Sequence, residues 1–137
     1  MNQYPIDIKL LHEALNYFSS LGYEHLSAPL LVDLDVVSHT LPNGNKAKQH
    51  IDDLYYVGSA EQSILQLIKD GYDLKSKYML ITPCQRDESI LDEIHLEIFL
   101  KVELISFDLN TNIIKDVFNF LSNIVKVKPK IITVSAT

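Results

Sequence analysis

The chain is 137 residues long and carries 18 acidic against 12 basic side chains, a formal charge of −6. That length suits a single domain, residues 1–137, able to bury about two thirds of its unfolded surface without a covalent staple, and the acidic balance opposes nucleic-acid binding by this chain alone. With 47% hydrophobic and 22% charged residues it is neither disordered nor membranous in composition: no apolar run approaches the roughly 20 residues of a membrane span, and the start Met1–Pro5 lacks the pattern of a secretory signal, so a cytoplasmic location is expected.

From the amino terminus, Leu11, Ala14, Leu15 and Phe18 recur at helical spacing, with Asp7 available as N-cap and Gly22 in a closing position; this predicts a helix over 8–21. Tyr23 to Val32 reads as a strand interrupted by Pro29, which lacks the N–H a central strand needs and so points to an edge or an interface. Asp33 to Thr40 suits a short helix or turn, and Leu41 to His50 is the most loop-like stretch of the chain. Asp53 to Val57 reads as a short strand. A helix over 60–70 follows, carrying Ile64, Leu65, Leu67 and Ile68, and Ser59 with Gln62 three residues on satisfies the capping-box pattern. Glu61 is left unexplained by the cap, although a glutamate in a first turn is also ordinary helix-dipole chemistry.

Lys77 to Thr82 reads as a strand that would run on through Arg86 and Glu88, and 95–104 alternates without a break at the period of a strand. Leu96, Ile98, Leu100, Val102 and Leu104 form one row, expected to be core; His95, Glu97, Phe99, Lys101 and Glu103 form the other, an odd set for a merely solvated face. A polar connection over 89–94 makes these two strands a hairpin at the centre of a sheet, bringing Arg86, Glu88, His95, Phe99 and Glu103 onto one surface. A guanidinium suits phosphate or carboxylate, and a phenyl ring offers a base a stacking surface, so the set reads as a nucleotide seat; an amphipathic hairpin with a solvated face is the plainer alternative. Beyond it, an apolar stripe from Ile113 to Ile124 predicts a helix over 112–125, and Lys130 to Val134 reads as a last strand or a docked tail. The single cysteine, Cys84, excludes an internal disulfide and suits an inert strand position; the histidines lack the paired spacings of a zinc site, so no structural metal is expected. Lys126, Lys128 and Lys130 suit a solvated edge better than a nucleic-acid patch.

The ordered set Arg86-x-Glu88, a loop, then His95-x-x-x-Phe99-x-x-x-Glu103 is similar to motif 2 of the class II aminoacyl-tRNA synthetases. The resemblance implies that Arg86, the one catalytic residue it supplies, meets the α-phosphate and the substrate carboxylate. It also implies that Phe99 stacks on adenine and that Glu88, His95 and Glu103 complete the nucleotide-binding set. The helix, Gly22-Tyr23 and the strand with Ala28-Pro29-Leu30-Leu31 resemble motif 1, which implies a homodimer with Pro29 at its interface. Ser59-Ala60-Glu61 resembles the Thr-x-Glu loop of several class II enzymes, where the glutamate receives the α-ammonium of the amino acid, so Glu61 and Ser59 are the implied amino-acid-binding residues. In the family the region corresponding to 41–50 closes over the active site.

The resemblance covers about residues 8 to 105. Gln85 stands where the family usually has an aromatic residue, and the loop between the hairpin strands is short. After residue 105 no glycine-rich segment ending in arginine recurs, so half of the ATP clamp is missing, and 106–137 leave no room for an anticodon-binding domain. The expected fold is therefore α+β, a mainly antiparallel sheet flanked by helices. The expected function is that of a reduced synthetase-like protein keeping part of an amino acid and ATP pocket without full aminoacylation activity. Its implied cofactors are ATP and Mg²⁺, its partners a second copy and a small amino acid or adenine nucleotide, and tRNA is not expected for this chain alone. The alternative is a non-catalytic dimeric module for regulation or assembly.

Overall fold

A computed structural model describes residues 5–41, 46–85 and 98–134. The chain runs α1 (Ile8–Ser20), β1 (Glu24–His25), β2 (Leu31–Asp33), α2 (Leu34–Thr40), β3 (Gln49–Ile51), β4 (Leu54–Tyr56), α3 (Ala60–Lys69), β5 (Lys77–Gln85), β6 (Ile98–Ser106) and α4 (Ile113–Phe120), the last prolonged by a π-helical turn, Leu121–Val125. The strands form two three-stranded sheets, ordered β1-β5-β6 and β2-β4-β3. β1 runs parallel to β5, and the other pairings are antiparallel. The fold is thus α+β, with mainly antiparallel sheets between helices.

β5 organises the molecule because both its faces are covered. Met79 packs with Ala14 and Phe18 of α1, Tyr23 and Phe120 of α4, while Tyr78 and Leu80, pointing the other way, pack with Ala60 and Ile64 of α3. α1 starts as its sequence predicts, Asp7 accepting from the Leu10 N–H at 2.9 Å, and Gly22 leaves it at φ +92°, the left-handed conformation that favours glycine. Pro83 is tolerated inside β5. The neighbouring same-parity residue Gln85 donates its N–H to Val57 O at 3.0 Å, away from β6, so the missing N–H of Pro83 also faces away from the ladder. That bond, with Val57 N–H to Leu30 O at 3.1 Å, ties the two sheets together. At the far end of α3, Lys69 reaches Asp33 at 2.8 Å and Asp35 at 2.9 Å, and these hydrogen bonds hold both carboxyls below the usual carboxylate range.

The predicted strand over 23–32 is two short strands in different sheets, with Pro29 between them; its carbonyl accepts from Ser63 Oγ at 2.7 Å. β3 is an element that the loop-like sequence around it concealed, and positions 42–45 of that loop lie outside the described residues. β6 spans 98–106 in the predicted antiparallel pairing with β5, but it is the edge of its sheet among the described residues, and β5 is the centre. Lys130 to Val134 is not a strand: the segment carries no regular structure and Ile131, Ile132 and Val134 are exposed. The chain leaves α4 through Lys126 in the left-handed region, φ +62°, with Val127 N–H closing the π turn on Leu121 O at 3.1 Å.

Tyr23 is buried, and its hydroxyl donates to Asp116 of α4 at 2.7 Å, joining the entry of β1 to the helix on the same face of the sheet. Burial first, and the Asp116 carboxylate second, push its pKa upward. The neutral phenol is therefore favoured by the folded state, so this contribution is complete below the ordinary tyrosine value and is lost as pH rises above about 10. Tyr23→Phe should cost about 1.5 to 3 kcal/mol at neutral pH, as loss of a hydrogen bond to a charged group, and should show a shallower alkaline loss than wild type. Urea unfolding at neutral and alkaline pH measures both; equal alkaline slopes would remove Tyr23 as the cause.

Candidate functional site

The site is built where the start of α3 meets β5 and β6. Direct antiparallel partners share a face, so the register Leu80↔Glu103, Thr82↔Lys101 and Cys84↔Phe99 places these six side chains on the α3 side of the sheet. Thr82 and Cys84 are fully buried and make its floor, with Thr82 Oγ1 3.5 Å from Cys84 Sγ. Cys84 lies in a strand, as its sequence position suggested, and is buried.

Glu103 is the anchor. Its Oε2 accepts from the Ala60 N–H at 2.6 Å and its Oε1 from Lys101 Nζ at 3.1 Å, so a carboxylate from β6 caps the N-terminus of α3 and is itself neutralised by an ammonium on its own strand. The capping box anticipated at Ser59 and Gln62 is not formed. Gln62 reaches back, its Oε1 accepting from the Gly58 N–H at 2.7 Å, and its amide donates to Thr40 Oγ1 at 2.9 Å. Ser59 makes no side-chain cap: at φ −164° and ψ 162° its Oγ is buried without a hydrogen-bond partner. Gln85 Oε1, at the end of β5, is the other buried polar atom without one among the described residues. Glu103 has taken the role the sequence gave to Ser59, which leaves the serine hydroxyl unused beside the helix start.

Of the residues the sequence singled out, Phe99 and Glu103 lie two turns of alternation apart on one face of β6, and Ser59 is joined to them through Ala60. Glu61 lies in the first exposed turn of α3, with no hydrogen bond or ion pair among the described residues. Arg86, Glu88 and His95 lie outside the described residues; Arg86 follows directly on the last residue of β5. Pro29 lies against α3, its carbonyl accepting from Ser63 Oγ at 2.7 Å. Lys101, Gln62 and Gln85 were missed as site residues. Lys101 was legible, since it alternates in step with Phe99 and Glu103; Gln62 was read only as a capping-box residue and Gln85 only as a departure from the family pattern. A groove of about 1080 Å³ between α1, α4 and β6 is lined mainly by apolar residues, and Phe99 and Glu103 also border it.

No family model matches the chain, and no curated protein matches its sequence. Solved structures do match it. PylSc, a pyrrolysyl-tRNA synthetase of Desulfitobacterium hafniense, superposes with a TM-score of 0.72 at 13% identity over 97% of this chain and 50% of that one. Seryl-tRNA synthetase from Pyrococcus horikoshii, solved with ATP, gives 0.57 at 20% identity over 72% of this chain and 25% of that one. The cytoplasmic serine-tRNA ligase of Naegleria fowleri, solved with AMP, gives 0.54 at 15% identity over 71% and 26%. The likeness is one of fold, that of class II aminoacyl-tRNA synthetase catalytic domains, and the chain spans a quarter to a half of the length of these neighbours.

Because the cap on α3 comes from Glu103 and not from Ser59, two substitutions should separate. Glu103→Ala should cost about 1.5 to 3 kcal/mol, the usual loss for a hydrogen bond to a charged group, whereas Ser59→Ala should cost under about 0.5 kcal/mol instead of the 1 or so of an ordinary N-cap. Chemical denaturation of both variants checks this, and the reverse order would return the cap to Ser59.

Proposed function

We propose that this chain is a reduced class II aminoacyl-tRNA synthetase-like protein that binds an amino acid, an adenine nucleotide or an aminoacyl-adenylate-like ligand, without full aminoacylation activity. The observation that carries the reading is the junction of β6 with the start of α3. Glu103 holds the Ser59–Glu61 loop against the strand that bears Phe99, so the two segments singled out for nucleotide and amino acid are neighbours across one hydrogen bond. Two of the neighbours in fold were solved with ATP or AMP.

In this reading Arg86 meets the α-phosphate and the substrate carboxylate, Phe99 stacks on the base, and Glu61, exposed and carrying no partner among the described residues, receives the α-ammonium. Glu88 and His95 complete the nucleotide-binding set, and Ser59 Oγ, buried and unbonded, is an available hydrogen-bond group beside the amino-acid end. Glu103 acts as a positioning residue, since both its oxygens are already engaged. Among the described residues no three His, Cys, Asp or Glu side chains come together as metal ligands. No step of the reading runs through Mg²⁺. Activation of an amino acid brings two negatively charged reactants together, and with Arg86 as the principal cation weak binding is favoured over fast chemistry.

A second reading is a non-catalytic dimeric module for regulation or assembly, in which Arg86 as the principal cation is too little for amino-acid activation. It keeps the homodimer with Pro29 at the interface as a further proposal. In either reading no described helix is long and apolar enough to cross a membrane.

Calorimetric titration with ATP and with mixed amino acids tests the ligand-binding reading. Affinity in the micromolar to millimolar range is expected, with Arg86→Ala losing about 1.5 to 3 kcal/mol and Phe99→Ala about 1 to 3 kcal/mol of nucleotide binding. Binding that neither substitution weakens would place the ligand elsewhere, and brisk ATP–pyrophosphate exchange would replace the reduced protein by an active enzyme.

A further inference from the structure

α3 is amphipathic, yet part of its polar side is buried. Gln62, Ser63 and Gln66 fall at helical spacing on one flank of the helix and are each 7% exposed or less. All three bond to one neighbouring block. The Gln62 amide donates to Thr40 Oγ1 at 2.9 Å, and Ser63 Oγ donates to Pro29 O at 2.7 Å. Gln66 Oε1 accepts from the Asp33 N–H at 2.9 Å, and its amide donates to Asp33 Oδ2 at 3.1 Å. β2 and α2 are therefore seated on α3 through side-chain hydrogen bonds, to which Lys69 adds its ion pairs with Asp33 and Asp35 at the exposed end.

The apolar packing divides along the same line. Val32, Val36, Val37 and Val57 form one buried cluster, whereas Ala60 and Ile64 of α3 belong to another, with Tyr78 and Leu80 of β5. The two have no residue in common. Separating apolar surfaces exposes both to water, but a hydrogen bond broken in an opening is replaced by one to water, so its net contribution is small. A polar seam between two apolar clusters is thus where the molecule parts most readily. The chain crosses this seam at Pro29 and at Gly58, and a backbone bond from Gln85 N–H to Val57 O ties the far side to β5. Gln62 stands at the second crossing. Its Oε1 accepts from the Gly58 N–H at 2.7 Å while its Nε2 holds Thr40, the last residue of α2, so one side chain joins the end of α2 to the entry of the Gly58–Glu61 loop.

We propose that β2, α2, β3 and β4 form a unit that opens from α3 as one body along this seam, and that Gln62 couples the Gly58–Glu61 loop to the opening. Closed, the unit fixes the loop through Gln62. Open, it releases the loop and exposes the buried polar flank of α3 to water. The opening needs no ligand and is measured apart from the titrations above.

Native-state hydrogen exchange followed by NMR reads the opening amide by amide. In the wild type the amides of Tyr56 and Val57, bonded to Lys48 O and Leu30 O, should exchange together and about tenfold or more faster than those of the buried Leu80 and Thr82 in β5. Ser63→Ala and Gln66→Met each remove seam bonds. Each should speed Tyr56 and Val57 by about threefold to tenfold and leave Leu80 and Thr82 unchanged. The Gly58 amide, held by Gln62, should speed by the same factor. Ile64→Val, which loosens the cluster between α3 and β5 instead, should speed Leu80 and Thr82 and change Tyr56 and Val57 little. Wild-type Tyr56 and Val57 exchanging no faster than Leu80 and Thr82 would overturn the proposal, and that comparison holds even where a variant fails to fold. So would seam variants that speed the β5 amides as much as the β4 ones. A Gly58 amide that keeps its wild-type rate in Gln66→Met would sink the coupling through Gln62.

Discussion

The ladder between β5 and β6 is the constraint on which the rest depends. Its register is unbroken over nine pairs, so side-chain parity is fixed along its whole length: a slip of one residue would send Phe99, Lys101 and Glu103 to the α1 side and the apolar row to α3. Burial enforces that register at the β5 end, where Tyr78, Leu80, Thr82 and Cys84 are buried on one face and Met79 on the other. The contact from Glu103 to Ala60 then converts sheet register into the position of α3 and of the loop before it.

That contact also explains why a serine in N-cap position makes no cap. A carboxylate at a helix start gains from the dipole as well as from the hydrogen bond, and Glu103 delivers its charge without any change in the loop backbone. Ser59 is displaced from its local role, and a buried hydroxyl without a partner remains at the mouth of the site. Local signals of this kind are outweighed when a distant strand can supply a stronger acceptor. The same logic applies to Gln62, which turns toward Gly58 and Thr40 to link α3 with the end of α2.

The two faces of β6 have different chemical tasks. The α3 face gathers charge and an aromatic ring next to a helix start, which suits a small polar ligand. The other face borders a mainly apolar groove against α1 and α4. A strand alternating at period two can carry both because successive side chains never share a surface.

Much of the fold was legible in the sequence. Helical spacing and the Asp7 cap located α1, the stripe after Asn112 located α4, and alternation gave β6 and the identity of its two rows. The resemblance of motif 1 and motif 2 segments pointed to the class of fold that the solved neighbours share. What the sequence could not determine was which row of β6 is covered, whether that strand is central or outer, and whether Lys130 to Val134 joins a sheet. Alternation records that two faces differ, but coverage depends on what packs there, and strand order depends on hydrogen-bond partners distant in the chain. For the same reason the cap of α3 was misassigned to Ser59: a local motif specifies which acceptor is near in sequence, and only the tertiary structure brings Glu103, 43 residues away, close enough to replace it.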